Sequence, residues 1–196
     1  MNPIAQHIHS KCPKMAALIE QHSPLPDRTE RDPYRSLVDA IISQQISVSA
    51  ARNILNRLES RYNGVLDPSI LSKTSLEEFR ESGVSKQKAT YIMATSLHFL
   101  EHADQWERMP EMTDQQVIAF LTEIKGIGVW TAQMFLMFTL NRPDVFPVGD
   151  YGIRKAMHQL YGWKTERKHS TLENKAKLWA PYRTTACMAL WRSLGT

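Results

Sequence analysis

The chain has 196 residues, with 24 Lys and Arg against 20 Asp and Glu for a formal charge of +4, and is 42% hydrophobic and 22% charged. That balance excludes a disordered, collagen-like or disulfide-stapled chain and predicts one compact unit or two small interlocking lobes around a sizeable core. Two cysteines, Cys12 and Cys187, exclude a four-thiolate zinc site or a cubane iron–sulfur cluster built from cysteine within the chain.

Two scattered thiols read as a reducing setting. The first twenty residues carry His7, His9, Lys11 and Lys14 but lack the apolar stretch of a secretory signal, so export is not expected. His7, His9 and Cys12 read as solvated side chains near the N-terminus rather than as metal ligands. Helical periodicity recurs along the chain, and no alternating β-branched run is long enough for a sheet, so the expected fold class is all-α. The predicted helices are Lys14–Gln21, Pro33–Ser43, Ser47–Tyr62, Ser75–Glu81, Ser85–Leu100, Thr113–Glu123, Val129–Leu140, Tyr151–Tyr161, Thr171–Trp179 and Tyr182–Leu194. Ser, Thr or Asp precedes several of them, and Gly64, Gly83, Gly162 and Gly195 stand near ends, as start and stop chemistry requires. The Pro-rich segment Ser23–Pro33 and the segment Asn141–Gly149 read as connections between lobes. Lys86 and Lys88, at a helix start, read as a solvated face. The longest uncharged stretch, Gly126–Asn141, falls short of the roughly 20 apolar residues a membrane-spanning helix needs.

The most informative stretch runs from Leu121 to Phe135, where a helix ends, a Gly-Ile-Gly turn (Gly126–Gly128) follows, and a second helix begins. Glycines two apart permit a tight turn and leave the amides that open the second helix bare enough for an anion to approach. Taken alone, the turn reads first as an ordinary helix–turn–helix corner with Ile124, Ile127 and Phe135 packed inside. Its continuation, Asn-Arg-Pro-Asp-Val-Phe-Pro-Val-Gly-Asp150, adds a carboxylate. A helix from Val129 to Leu140 carries the chain about 18 Å from the turn, and Asn141–Gly149 can span at most about 30 Å on the way back. Asp150 can also cap the helix that follows it, and both roles are compatible.

From about Tyr34 to Leu194 the chain resembles the helix-hairpin-helix (HhH-GPD) DNA glycosylases, and most closely their alkylbase branch, the DNA-3-methyladenine glycosylase II family. Four segments in order carry the resemblance: Ala40–Ala51 (Ala-Ile-Ile-Ser-Gln-Gln-Ile-Ser-Val-Ser-Ala-Ala), Gly83–Ile92, the hairpin with Asp150, and Trp179–Trp191. The resemblance implies two helical lobes flanking a base-binding cleft, with no N-terminal β domain and no iron–sulfur cluster. Residues 34–134 would form the hairpin-bearing bundle, and residues 1–33 with 135–196 the second lobe, with Asp150 at the interface. It implies hydrolysis of the N-glycosidic bond of a flipped-out alkylated purine of the 3-methyladenine or 7-methylguanine type, leaving an abasic site. The branch that also cuts the backbone carries a lysine two residues after the second glycine, because a Schiff base needs an amine; here that position is Trp130, which implies no lyase step.

Carried over residue by residue, the resemblance makes Asp150 catalytic and puts Trp130, Trp191 and Met134 in the substrate pocket, Met134 standing where some relatives have an aromatic. Gln44, Gln45 and Ile46 match the loop that wedges into the gap left by the flipped nucleotide, with Gln45 preferred. The amides of Gly126, Gly128 and Val129 would hold phosphate, with Lys125 and Arg154 in support. Main-chain carbonyls of Thr122, Ile124 and Ile127 would hold a structural Na+ or K+, and no cofactor serves the chemistry. The implied partner is double-stranded DNA containing alkylated bases, bound by a monomer with no membrane association. The implied location is the cytoplasm or nucleoid of a bacterium or archaeon, or a eukaryotic nucleus. Two other readings stay open: a glycosylase of the same architecture for another damaged or mismatched base, and a non-catalytic DNA-lesion-binding protein. Asp150 separates the latter, since a pure binder gains nothing from a carboxylate that repels phosphate.

Overall fold

A computed structural model describes residues 2–25, 29 and 31–195; part of the Ser23–Pro33 connection therefore lies outside the described residues. Among the described residues there is no strand, and the expected all-α class holds. In chain order the helices are α1 (Pro3–His9), α2 (Pro13–His22), α3 (Pro33–Ser43), α4 (Val48–Arg61), α5 (Pro68–Leu71), α6 (Leu76–Glu81), α7 (Lys86–Glu101), α8 (Ala103–Glu107), α9 (Asp114–Thr122), α10 (Val129–Phe138), α11 (Tyr151–Tyr161), α12 (His169–Ala176) and α13 (Arg183–Ser193). Among the described residues, no helix is long and apolar enough to cross a membrane.

Three helices, α1, α5 and α8, escape the sequence pattern, each spanning two turns or fewer. Helix α1 is held by the Asn2 side chain, which accepts from the amides of Ile4 and Ala5. Asp67 caps the single turn of α5 ahead of Pro68. Helix α8 has no capping side chain and is held by its buried Trp106. Conversely, α10 stops at Phe138 rather than Leu140, where Asn141 turns left-handed (φ 54°) and the Arg142 amide closes on the Leu136 carbonyl.

The chain forms two compact units, residues 30–135 and residues 1–29 with 136–196. In the first, α7 is the central element, with α3, α5 and α6 packed on it. Leu37, Ile41 and Ile42 of α3, Leu71, Phe79 and Ile92 are fully enclosed, and Tyr34 Oη meets Ser96 Oγ at 2.7 Å within this core. In the second unit, α13 is the hub for α2 and α11. Every residue from Thr184 to Leu190 is buried, the signature of a helix enclosed on all sides. Cys12 is buried too, with Sγ 3.2 Å from Tyr161 Oη, so the expectation of a solvated side chain fails there: α1 and α2 fold back on this unit and enclose it. Cys12 and Cys187 are both free thiols. Segment Asn141–Gly149 lies wholly within the second unit and is not a connection between the two.

One polar residue of the first unit is poorly served. His98 packs against His102 (4.5 Å between centroids), Phe120 (4.6 Å) and Trp106 (5.9 Å), and neither of its buried ring nitrogens has a hydrogen-bond partner. Burial, with His102 as a like charge beside it, holds the His98 pKa below the ordinary histidine value. The folded state therefore prefers neutral His98, while the unfolded chain takes up a proton once the pH falls below about 6.5. Stability from this site is complete above that value and is lost as the pH drops from it toward the depressed folded pKa. We expect His98→Phe to be about 1 kcal/mol more stable at neutral pH, since an unpaired buried polar group is removed, and to lose less stability on acidification. Urea midpoints at pH 7.5 and 5.5 check both.

Candidate active site

In the unit of residues 30–135, two turns meet. Helix α3 ends at Ser43, Gln44 follows at φ −56°, ψ 127°, and Gln45 takes the left-handed region at φ 57°. Ser47 then opens α4, its Oγ accepting the Ala50 amide at 3.2 Å. A left-handed non-glycine residue costs on the order of 1 kcal/mol, and here it points an exposed Gln45 outward, with Ile46 exposed beside it. We expect Gln45→Gly to relieve that cost and leave thermal stability unchanged or slightly raised, while affinity for DNA with an abasic gap falls. Calorimetry and fluorescence anisotropy measure the two separately.

The second turn joins α9 to α10. Ile124 and Ile127 pack inward, as the corner reading requires. Gly126 has φ 95°, and a Cβ there would lie 2.3 Å from the Tyr91 ring. A Cβ on Gly128 would meet nothing within 4 Å, so the approach to the amides that open α10 is clear. Val129 and Trp130 are about half exposed (54% and 49%), and Lys125 is exposed. The turns are tied directly: Gln44 Nε2 donates to the Gly126 carbonyl at 3.1 Å. A cleft of about 460 Å³ opens there, lined by Gln44, Gln45, Gly126, Gly128, Trp130 and Met134 among others. Six of the expected site residues thus share one concavity.

Lys88 corrects the sequence reading. Rather than facing solvent freely, its ammonium donates to the carbonyls of Ile42 (2.7 Å) and Gln44 (2.8 Å) at the end of α3. Desolvation holds its pKa below the usual lysine value.

The carbonyls named for a monovalent cation suit one chemically, being neutral hard oxygen donors. That of Ile124 accepts the Ile127 amide at 3.0 Å and keeps a second lone pair. Among the described residues, no three His, Cys, Asp or Glu side chains gather as they would around a metal ion.

In the other unit, the segment before Asp150 is stitched to α13. Arg183 donates from Nε and Nη2 to the two oxygens of Asp144 (2.7 and 2.8 Å), and its amide adds a third bond. Those donors overcome partial burial and hold the Asp144 carboxyl below its usual range. Thr184 Oγ1 donates to the Arg142 carbonyl at 2.7 Å and accepts the Val145 amide at 3.1 Å. So braced, the chain delivers Asp150 to the start of α11, where Oδ1 accepts the Ile153 amide at 2.8 Å and the Trp191 indole N–H at 3.0 Å. The cap expected for Asp150 is present. Trp191, expected as a pocket wall, is seen here to orient the carboxylate. Its ring lies 6.0 Å from Phe138. Gly152 gives it room, since a Cβ there would stand 3.1 Å from the indole. Arg154 donates to the Gly149 carbonyl at 3.3 Å, next to Asp150 in the chain.

Arg183, Thr184, Gly152 and Tyr91 went unmarked in the sequence. Gly152, two residues after Asp150, carried a signal; the others reach their partners across long separations that no local pattern reveals.

A glycine turn between two helices, opening on clear amides and followed by a braced, helix-capping aspartate, defines a helix-hairpin-helix protein. Residues 38–181 match the HhH-GPD superfamily base excision DNA repair proteins, and the chain belongs to that family. DNA-3-methyladenine glycosylase 1 of Schizosaccharomyces pombe is 32% identical over 92% of this chain and 80% of its own length. The crystal structure of a DNA-3-methyladenine glycosidase from Bacillus halodurans superposes with a TM-score of 0.87 at 38% identity, covering 100% of this chain and 90% of that one. The S. pombe 3-methyladenine DNA glycosylase Mag1, solved with abasic DNA, gives 0.86 at 28% identity, covering 98% of this chain and 97% of that one.

Proposed function

We propose that this chain is a monofunctional DNA glycosylase of base excision repair, acting as a monomer on double-stranded DNA that carries alkylated purines of the 3-methyladenine or 7-methylguanine type. The observation that carries the reading is Asp150, a carboxylate fixed by a backbone amide, an indole N–H and a braced approach segment.

Alkylation at N3 or N7 makes the base cationic and already a good leaving group, so little general-acid help is needed. As the C1′–N bond breaks, the electron pair leaves with the base and neutralises it, and positive charge gathers on the sugar. Asp150 stabilises that oxocarbenium-like charge and takes the proton of the water that attacks C1′. The held carboxylate requires no reorganisation when the charge appears. Reaction requires the nucleotide to be flipped out of the stack. Trp130, Trp191 and Met134 then serve the base, the electron-rich indoles favouring a cationic base over a neutral one by about 0.5–2 kcal/mol.

Phosphate falls to the amides of Gly126, Gly128 and Val129, with Lys125 in support. A Na+ or K+ held by the carbonyls of Thr122, Ile124 and Ile127 would supply further positive charge to that phosphate. Trp130 offers no amine for a Schiff base, so the product is an intact strand with an abasic site. Such an enzyme works where DNA is kept, in a nucleoid or a nucleus. Relatives bearing the name DNA-3-methyladenine glycosylase support the substrate class.

Mass spectrometry of bases freed from methylated DNA by the pure protein tests the proposal. Release of 3-methyladenine or 7-methylguanine, with no borohydride-trapped adduct, is expected. No base released from any lesion would refute the enzymatic reading, and efficient trapping would refute the monofunctional one.

A further inference from the structure

We propose that Lys88 and Tyr91, on one face of α7, form a positioning clamp that holds the Gln45 turn and the glycine hairpin in fixed register, so that gripping the backbone also presents Gln45 to the stack. The proposal rests on the DNA-binding half of the function above, not on its catalytic half.

Residues three apart on a helix face the same way, about 4.5 Å apart along the axis. Lys88 sends its ammonium to the carbonyls of Ile42, in the last turn of α3, and of Gln44, the residue that caps it before the turn reverses. A cation on helix C-terminal carbonyls satisfies acceptors that the helix cannot. Tyr91 sets its ring under Gly126, close enough to exclude any side chain there, and its hydroxyl accepts from Gln87 Nε2 at 2.7 Å. The third side is Gln44, whose carbonyl meets Lys88 and whose amide meets the Gly126 carbonyl. The contacts close a ring: Lys88 to Gln44, Gln44 to Gly126, Gly126 to Tyr91, and back along α7. Gln45, the one residue of its turn in a left-handed conformation, follows Gln44 directly and is exposed beside this ring. Its direction is therefore set by what holds Gln44. A lysine serving only the fold would, on replacement, weaken binding to both duplexes alike; one that directs the turn would weaken the gap-dependent part.

The two turns do different work on DNA. The hairpin grips the backbone of any duplex, whereas the wedge adds affinity only where a gap exists. The test is thus a ratio: affinity for a duplex with a tetrahydrofuran abasic analogue over affinity for the intact duplex, by anisotropy in one buffer. Lys88→Met is expected to lower this ratio about tenfold, with intact-duplex affinity changing less than threefold. Lys88→Arg, which keeps the charge and the donors, is expected to restore most of it. An unchanged ratio overturns the clamp, and so does an equal loss on both duplexes, which is what a purely structural role gives. Should Lys88→Met not fold, Lys88→Gln is read by the same criteria. Neither duplex is a substrate, so the result is independent of base release.

Discussion

Asp150→Asn is expected to end base release while leaving the fold and lesion binding intact. The substitution isolates charge, because asparagine caps a helix as well as aspartate does. Its side-chain oxygen can still accept the Ile153 amide and the Trp191 indole, the two bonds that fix Asp150 Oδ1. What disappears is the anion that, in the proposed mechanism, faces the forming oxocarbenium charge and receives the proton of water. Loss of one such group typically costs on the order of 10³-fold in the chemical step. Single-turnover release of methylated bases should fall by at least that order, with thermal midpoint and abasic-duplex affinity close to wild type. A mutant that still excises at the wild-type rate would remove Asp150 from the chemistry.

Gly126→Ala should produce the largest loss of binding. Alanine at φ 95° is strained by about 1 kcal/mol or more. Its methyl would also sit 2.3 Å from the Tyr91 ring, too close for either to stay. The hairpin must shift, and with it the amides proposed to face phosphate. We expect a lower thermal midpoint and a drop of about 10²-fold in affinity for any duplex, damaged or not, as positioning contacts are lost together. Gly128→Ala is the informative partner, because its Cβ has open space within the protein. Its stability should hold while DNA affinity falls, since the methyl stands on the phosphate's path. Equal stability losses in both variants would contradict the assigned geometry.

What the sequence disclosed follows from how far each interaction reaches. The helix class, the hairpin and the cap at Asp150 depend on residues within a turn or two of each other, so periodicity and two glycines sufficed. The bond from Trp191 to Asp150 joins positions 41 apart, and Arg183 reaches Asp144 over 39. Lys88 misled for the same reason: at a helix start it looked like solvated charge, and only tertiary structure shows that its ammonium serves another helix's end. The left-handed backbone of Gln45 was hidden, because glutamine gives no conformational signal there. Short helices such as α1 failed for want of length, not of capping chemistry.

If Asp150 is both the cap of α11 and the proposed reagent, that double duty shapes what inheritance can do at this codon. Alleles that put alanine or valine there discard the start of α11 along with the reagent, so a screen for loss of repair would collect them among the merely unstable. An asparagine allele would persist at full abundance, occupying damaged sites it cannot clear, and would be the one expected to act dominantly.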